Sequence, residues 1–204
     1  MRLVIVSGFL GSGKTTFLLG LIKRLLPEDG ALDLVILENE VGEIGIDGAF
    51  LDREGLRVKE LFSGCVCCQL AGDLVVSLRD IKSTLDPDCV FLEASGLARV
   101  RSILDTLDRY CGDLGPVLVV SLADAERNDL YLEEPMPFVA NQLENADLVV
   151  INKTDTAGSD TVKALAHKLR EMNPRAEIVG ISALEGTGLD PVAERVLAWM
   201  RTTL

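Results

Sequence analysis

The chain has 204 residues, the size of one domain, and its 48% apolar and 25% charged content excludes a disordered or low-complexity protein. Lys and Arg number 20 against 32 Asp and Glu, a net charge of −12, so neither a nucleic-acid backbone nor an anionic membrane is the expected main partner. No apolar run reaches the ~18 residues of a membrane span, and the short apolar start at Met1–Leu10 meets Gly11-Ser12-Gly13-Lys14 with no leader-type cleavage site.

Strand-length apolar runs alternate with stretches of helical period along the whole chain. The first strand is predicted at Leu3–Ser7. A helix follows at Lys14–Leu26, with Phe17, Leu18, Leu21, Ile22 and Leu25 on one face and Pro27 as its stop. Further strands are expected at Leu32–Leu37 and Arg57–Leu61, then a helix at Leu70–Leu85. The strand Cys89–Leu92 precedes a helix at Val100–Tyr110, and Val117–Leu122 forms the fifth strand. Asp124–Gln142 carries the least pattern and reads as a loop between short helices. Strand Leu148–Ile151, helix Thr161–Met172, strand Glu177–Ile181 and helix Asp190–Met200 complete the order. Continuous rather than alternating apolar strands imply a sheet covered on both faces. The predicted architecture is a three-layer α/β domain, with a mostly parallel sheet and helices on both faces. No repeat, linker or composition shift divides it, so one domain spanning 1–204 is expected.

Gly8-Phe9-Leu10-Gly11-Ser12-Gly13-Lys14-Thr15 fits G-x-x-x-x-G-K-[ST] between a buried strand and an amphipathic helix. Glycines there let backbone N–H groups wrap a triphosphate, helped by the helix N-terminus. Lys14 reaches the β- and γ-phosphates and the Thr15 hydroxyl ligates magnesium. Gly8, Gly11, Ser12, Gly13, Lys14, Thr15 and Thr16 are the expected phosphate contacts, against the blander reading of an ordinary Gly-rich turn.

Asn152-Lys153-Thr154-Asp155 follows a strand, where N-K-x-D selects the base. The Asp155 carboxylate can accept from the N1 and the exocyclic amine of guanine, which adenine cannot offer. Asn152 and Lys153 would brace the loop and cover the ring, and Ser182-Ala183 would complete the pocket. The ligand pair is therefore GTP and GDP rather than ATP. Glu93, closing the fourth strand, can orient magnesium directly or through water, or simply cap the next helix. Lys14, Thr15 and Glu93 are the catalytic candidates, and the Gly96 amide is placed to sense the γ-phosphate. Asp124 is either a polar contact near the nucleotide or a solvated loop residue.

Three of five cysteines fall in Cys65-Val66-Cys67-Cys68, a poor disulfide framework that fits a reducing, cytoplasmic setting. Thiolates so spaced can converge on one soft or borderline ion, zinc being the commonest candidate, and a following helix N-terminus favours the thiolate form. A fourth ligand would come from a carboxylate, water or a partner; His167, the sole histidine, reads as an exposed helix residue. A thiol–disulfide switch is the rival reading, while Cys89 and Cys111 read as buried hydrophobe-like thiols. The acidic, Gly-rich Glu38–Asp47 lies where a γ-phosphate-responsive switch belongs, or is a solvated loop.

Gly8–Thr15, the Glu-Asn-Glu-x-Gly-Glu-x-Gly-x-Asp segment, Gly64–Cys68, Glu93-x-x-Gly96 and Asn152–Asp155, in that order, resemble the CobW-type metal-chaperone GTPases. These are relatives of the nickel-insertion GTPases of hydrogenase and urease maturation. The resemblance implies a SIMIBI-type G domain with a metal site at Cys65, Cys67 and Cys68, and Glu38 and Glu43 as acidic participants. It also implies a client metalloprotein and nucleotide-dependent homodimerisation. The second, C-terminal domain and His-rich stretch usual in that group are not expected in these residues. No Gln of the Ras type is evident, so slow turnover is expected. Alternative functions are a GTPase assisting a corrinoid-dependent enzyme, or a non-catalytic GTP- and redox-gated binding protein.

Overall fold

The computed structural model describes residues 1–26, 32–38, 57–60, 70–133 and 136–202. Its strands are β1 (Arg2–Gly8), β2 (Leu34–Glu38), β3 (Arg57–Glu60), β4 (Cys89–Glu93), β5 (Val117–Asp124), β6 (Leu148–Asn152) and β7 (Glu177–Gly180). Its helices are α1 (Lys14–Leu25), α2 (Leu70–Thr84), α3 (Val100–Tyr110), α4 (Asp129–Leu132), α5 (Pro137–Glu144), α6 (Ser159–Met172) and α7 (Leu189–Arg201). The strands form one sheet in the order β3-β2-β4-β1-β5-β6-β7, and every pairing is parallel. All described strands therefore present their carboxyl ends at one edge, where ligands of open α/β sheets bind.

Side-chain alternation along β1 feeds two cores. Val4 and Val6 meet Phe17, Leu18, Leu21, Ile22 and Leu25 of α1, together with Val192 and Val196 of α7. Leu3 and Ile5 belong to the opposite layer, with Leu78 and Ile81 of α2, Leu107 of α3, Leu143 of α5 and Leu165 of α6. The predicted apolar face of the first helix is buried throughout, and the three-layer expectation holds. Among the described residues no helix is long and apolar enough to cross a membrane.

Cys89 and Cys111 are buried thiols, as the sequence suggests. Burial pushes the Cys89 thiol from 9.0 up to about 12, against an opposing pull from the Arg2 guanidinium. A group whose folded pKa is raised stabilises the fold below its unfolded pKa and loses that contribution as pH rises through the folded value. Stability is thus expected to fall as pH rises from 9.0 towards about 12, where the unfolded chain has lost this proton and the folded one keeps it. Denaturant titrations across that range, repeated on Cys89→Val, should show a shallower alkaline decline in the variant.

Candidate nucleotide and metal site

The turn from β1 into α1 has a backbone that few residues other than glycine adopt. Gly8, Gly11 and Gly13 have φ of 143°, 76° and 87°. A Cβ on Gly8 would lie 2.7 Å from Leu122 O, and one on Gly13 would strike Asn152 Nδ2. The first collision is with a central strand and the second with the base-recognition turn, so neither can relax cheaply. Lys14 opens α1 and is buried, Thr15 is half-buried beside it, and Thr16 is exposed in the same turn.

Thr15 Oγ1 donates to Glu93 Oε1 at 2.8 Å, joining the start of α1 to the end of β4. A hydroxyl and a carboxylate brought together here are hard oxygen donors of the kind Mg²⁺ takes. The residues present therefore fit the ion. Gly96 is buried three residues on, and a Cβ there would lie 2.7 Å from Leu10 N. The loop after β4 is thus pressed onto the phosphate-binding turn.

Asn152 ends β6 and is buried. Its Nδ2 donates to Ser12 O at 2.8 Å, and its Oδ1 accepts from Ala183 N at 2.9 Å. One side chain thereby ties the phosphate turn to the Ser182-Ala183 turn. Thr154 N donates to Ile181 O at 3.1 Å, which ties the base-recognition turn to the strand end before Ser182. Lys153 takes a positive φ of 63°, which reverses the chain and leaves Asp155 exposed at the tip. Ser182 Oγ accepts from Glu185 N at 3.2 Å and closes the last turn.

Asp124, left open between two roles by the sequence, is the buried final residue of β5. Its Oδ2 accepts from Lys153 Nζ at 2.7 Å, and Glu126 Oε2 accepts from the same ammonium at 3.0 Å. Burial opposes the Lys153 charge, but the bonds to Asp124 and Glu126 outweigh it and hold the ammonium above the usual lysine range. Lys153, with the Thr156 hydroxyl, holds Glu126 below the usual carboxylate range. The acids therefore fix the lysine over the base-recognition turn.

Two contacts carried no sequence signal. Arg127 donates to Leu10 O at 3.0 Å and lies 4.8 Å from the Phe9 ring centroid. Gln142 bonds the loop after β4. His167 is exposed on α6, 3.4 Å from Glu171, and stands apart from the site.

The cysteines Cys65, Cys67 and Cys68, together with Glu43, lie outside the described residues, as does the side chain of Glu38. The backbone of Glu38 is described: it pairs in register with Glu93 on one side and with Glu60 on the other.

An all-parallel sheet with a phosphate-binding turn after its central strand and an N-K-x-D turn two strands away defines a P-loop GTPase. A family model described as the nucleotide-binding domain of CobW/HypB/UreG matches residues 2–180, and the chain belongs to that family. The zinc chaperone YjiA of Escherichia coli K12 is 29% identical over 194 residues, covering 89% of this chain and 58% of YjiA. The zinc chaperone YeiR of the same organism is 35% identical over 167 residues, covering 80% of this chain and 50% of YeiR. The chain thus spans little more than half the length of these relatives. Among solved structures, the hydrogenase maturation factor HypB of Archaeoglobus fulgidus superposes with a TM-score of 0.70 at 21% identity, covering 98% of this chain and 91% of HypB, a likeness of fold. Zn(II)-bound YjiA GTPase from E. coli gives 0.62 at 26% identity, over 87% of this chain and 56% of that one.

Proposed function

We propose that this chain is the single G domain of a metallochaperone, one that binds and slowly hydrolyses GTP and couples nucleotide state to a transition metal held by Cys65, Cys67 and Cys68. The observation that carries the coupling is the register at the carboxyl edge of the sheet. Glu93, bonded to Thr15, pairs across the sheet with Glu38, and Glu38 with Glu60. From Glu60 the chain runs through residues 61–69, which include the three cysteines, to α2 at Leu70. Anything that moves the end of β4 thus bears on the strand end from which the segment holding the thiols departs.

In this reading Gly8–Thr16 wrap the phosphates, with Lys14 neutralising charge on the β- and γ-oxygens. Thr15 and Glu93 hold magnesium, which when bound supplies charge neutralisation on those oxygens. Asn152, Lys153, Asp155, Ser182 and Ala183 receive guanine, and Gly96 reports the γ-phosphate. Zinc is the first candidate for the cargo, with cobalt and nickel as alternatives; the likeness to the zinc chaperones YjiA and YeiR supports zinc. Glu38 and Glu43 are proposed acidic participants. The cargo's destination is a client metalloprotein, and homodimerisation under nucleotide control is part of the proposal. Titrating zinc into reduced protein with GDP, and again with a non-hydrolysable GTP analogue and magnesium, tests the reading: unequal affinities are expected.

A further inference from the structure

Helix α5 touches both walls of the phosphate site. Phe138, near its start, stacks on Phe9 of the phosphate turn with centroids 5.4 Å apart. One turn later Gln142, 2% exposed, points into the loop after β4. Its Nε2 donates to Gly96 O at 3.1 Å and to Ala98 O at 3.2 Å. Asn141 Oδ1 meanwhile accepts from Arg101 N at 3.3 Å, at the start of α3, where the same loop ends. A buried amide with both donors committed to one short loop sets that loop's position closely, because leaving its carbonyls unpaired away from water is unfavourable. Gly96 is pressed against Leu10 N on its other side, with no room for a Cβ. Gly96 therefore sits between the phosphate turn and Gln142.

We infer that Gln142 is a positioning residue for the γ-phosphate response. It grips the carbonyl side of Gly96 so that the loop stays against the phosphate turn, and it transmits displacement of that loop to α5. The inference rests on the reading of Gly96 as the γ-phosphate sensor. GDP engages the phosphate turn and the base turns but leaves the γ-position empty, so Gln142 matters for the triphosphate and little for the diphosphate. A merely structural glutamine would weaken both nucleotides alike.

The test compares wild type with Gln142→Met, which keeps the chain length and removes the donors, and with Gln142→Asn, which keeps the donors but falls short. Affinities for GDP and for the imido analogue of GTP are measured with magnesium. The expected result is a loss of about tenfold for the analogue in both variants, the scale of one net hydrogen bond, with GDP affinity held within about twofold. Equal losses for both nucleotides, or none, overturn the inference. Hydrogen exchange on the wild-type protein needs no variant to fold. Residues 94–98 and 137–144 are both expected to change protection between the GDP and analogue states. A change at 94–98 without one at 137–144 overturns the role of Gln142 and leaves the Gly96 reading standing. No change at 94–98 removes the Gly96 reading and the inference with it.

Discussion

Asp155→Ala is expected to lower GTP affinity by about 10²–10³-fold while leaving the weak affinity for ATP within about twofold. The carboxylate stands exposed at the tip of the turn after β6, so its removal strips acceptors from the base without disturbing the buried scaffold. That scaffold is independently held: Asn152 is bonded on two sides, Thr154 is bonded to Ile181, and Lys153 is clamped by Asp124 and Glu126. A guanine N1–H and exocyclic amine presented to the altered pocket would lose their acceptors, whereas adenine has nothing comparable to lose. Titration of both triphosphates on wild type and variant reads the effect as a change in ratio. Parallel losses for GTP and ATP would show that the aspartate supports the turn and does not read the base.

Asn152→Ala is expected to act differently, lowering GTP and ATP affinity together and lowering stability as well. The substitution leaves Ser12 O and Ala183 N, both in buried residues, without the partners they have now. Each unpaired buried group is unfavourable by about 1–3 kcal/mol, so a total of about 2–6 kcal/mol is expected. For a domain of this size that shifts the melting temperature by roughly 4–24 °C. Asn152→Asp separates the two bonds: the carboxylate still accepts from Ala183 N but cannot donate to Ser12 O. An intermediate melting temperature with nucleotide affinity as poor as the alanine variant's would assign the phosphate-side effect to the Ser12 bond. Thermal unfolding of the unliganded variants and nucleotide titration check the two halves separately.

The motifs were legible because their chemistry is local. Gly8–Thr15 needs positive φ at fixed offsets, and only glycines at those offsets supply it. Strand ends were less legible. The apolar runs Cys89–Leu92, Val117–Leu122 and Leu148–Ile151 stop where hydrophobic side chains stop, yet the strands continue to Glu93, Asp124 and Asn152. Parallel pairing follows the backbone, which is indifferent to side-chain polarity, and the polar residue that closes each strand is the one that faces the site.

Helix α5 escaped the periodicity reading because it spans only Pro137–Glu144 and lies in the least patterned stretch. Pro137 at its first turn, followed by buried Val139, Gln142 and Leu143, is the signal that identifies it. The helix is held from the apolar side by Val139 and Leu143 and from the polar side by Gln142. Only the former belongs to a hydrophobic pattern. The Lys153 clamp was illegible for a related reason: Asp124 and Glu126 are far from Lys153 in sequence, and the β5–β6 pairing alone brings them within reach.

Coupling between the nucleotide and the thiol site is read from zinc affinity in two nucleotide states. Reduced protein is titrated with zinc against a competing chelator, once with GDP and once with a non-hydrolysable GTP analogue and magnesium, with Cys67→Ser as the control. By linkage, a metal site coupled to the nucleotide must show affinities that differ by the same factor by which zinc changes nucleotide affinity. A difference of about tenfold or more, within the usual range for coupled sites, is expected, with its loss in the control. Equal zinc affinities in the two states, or an unchanged affinity in Cys67→Ser, would contradict it and leave a GTPase whose thiols serve redox chemistry instead.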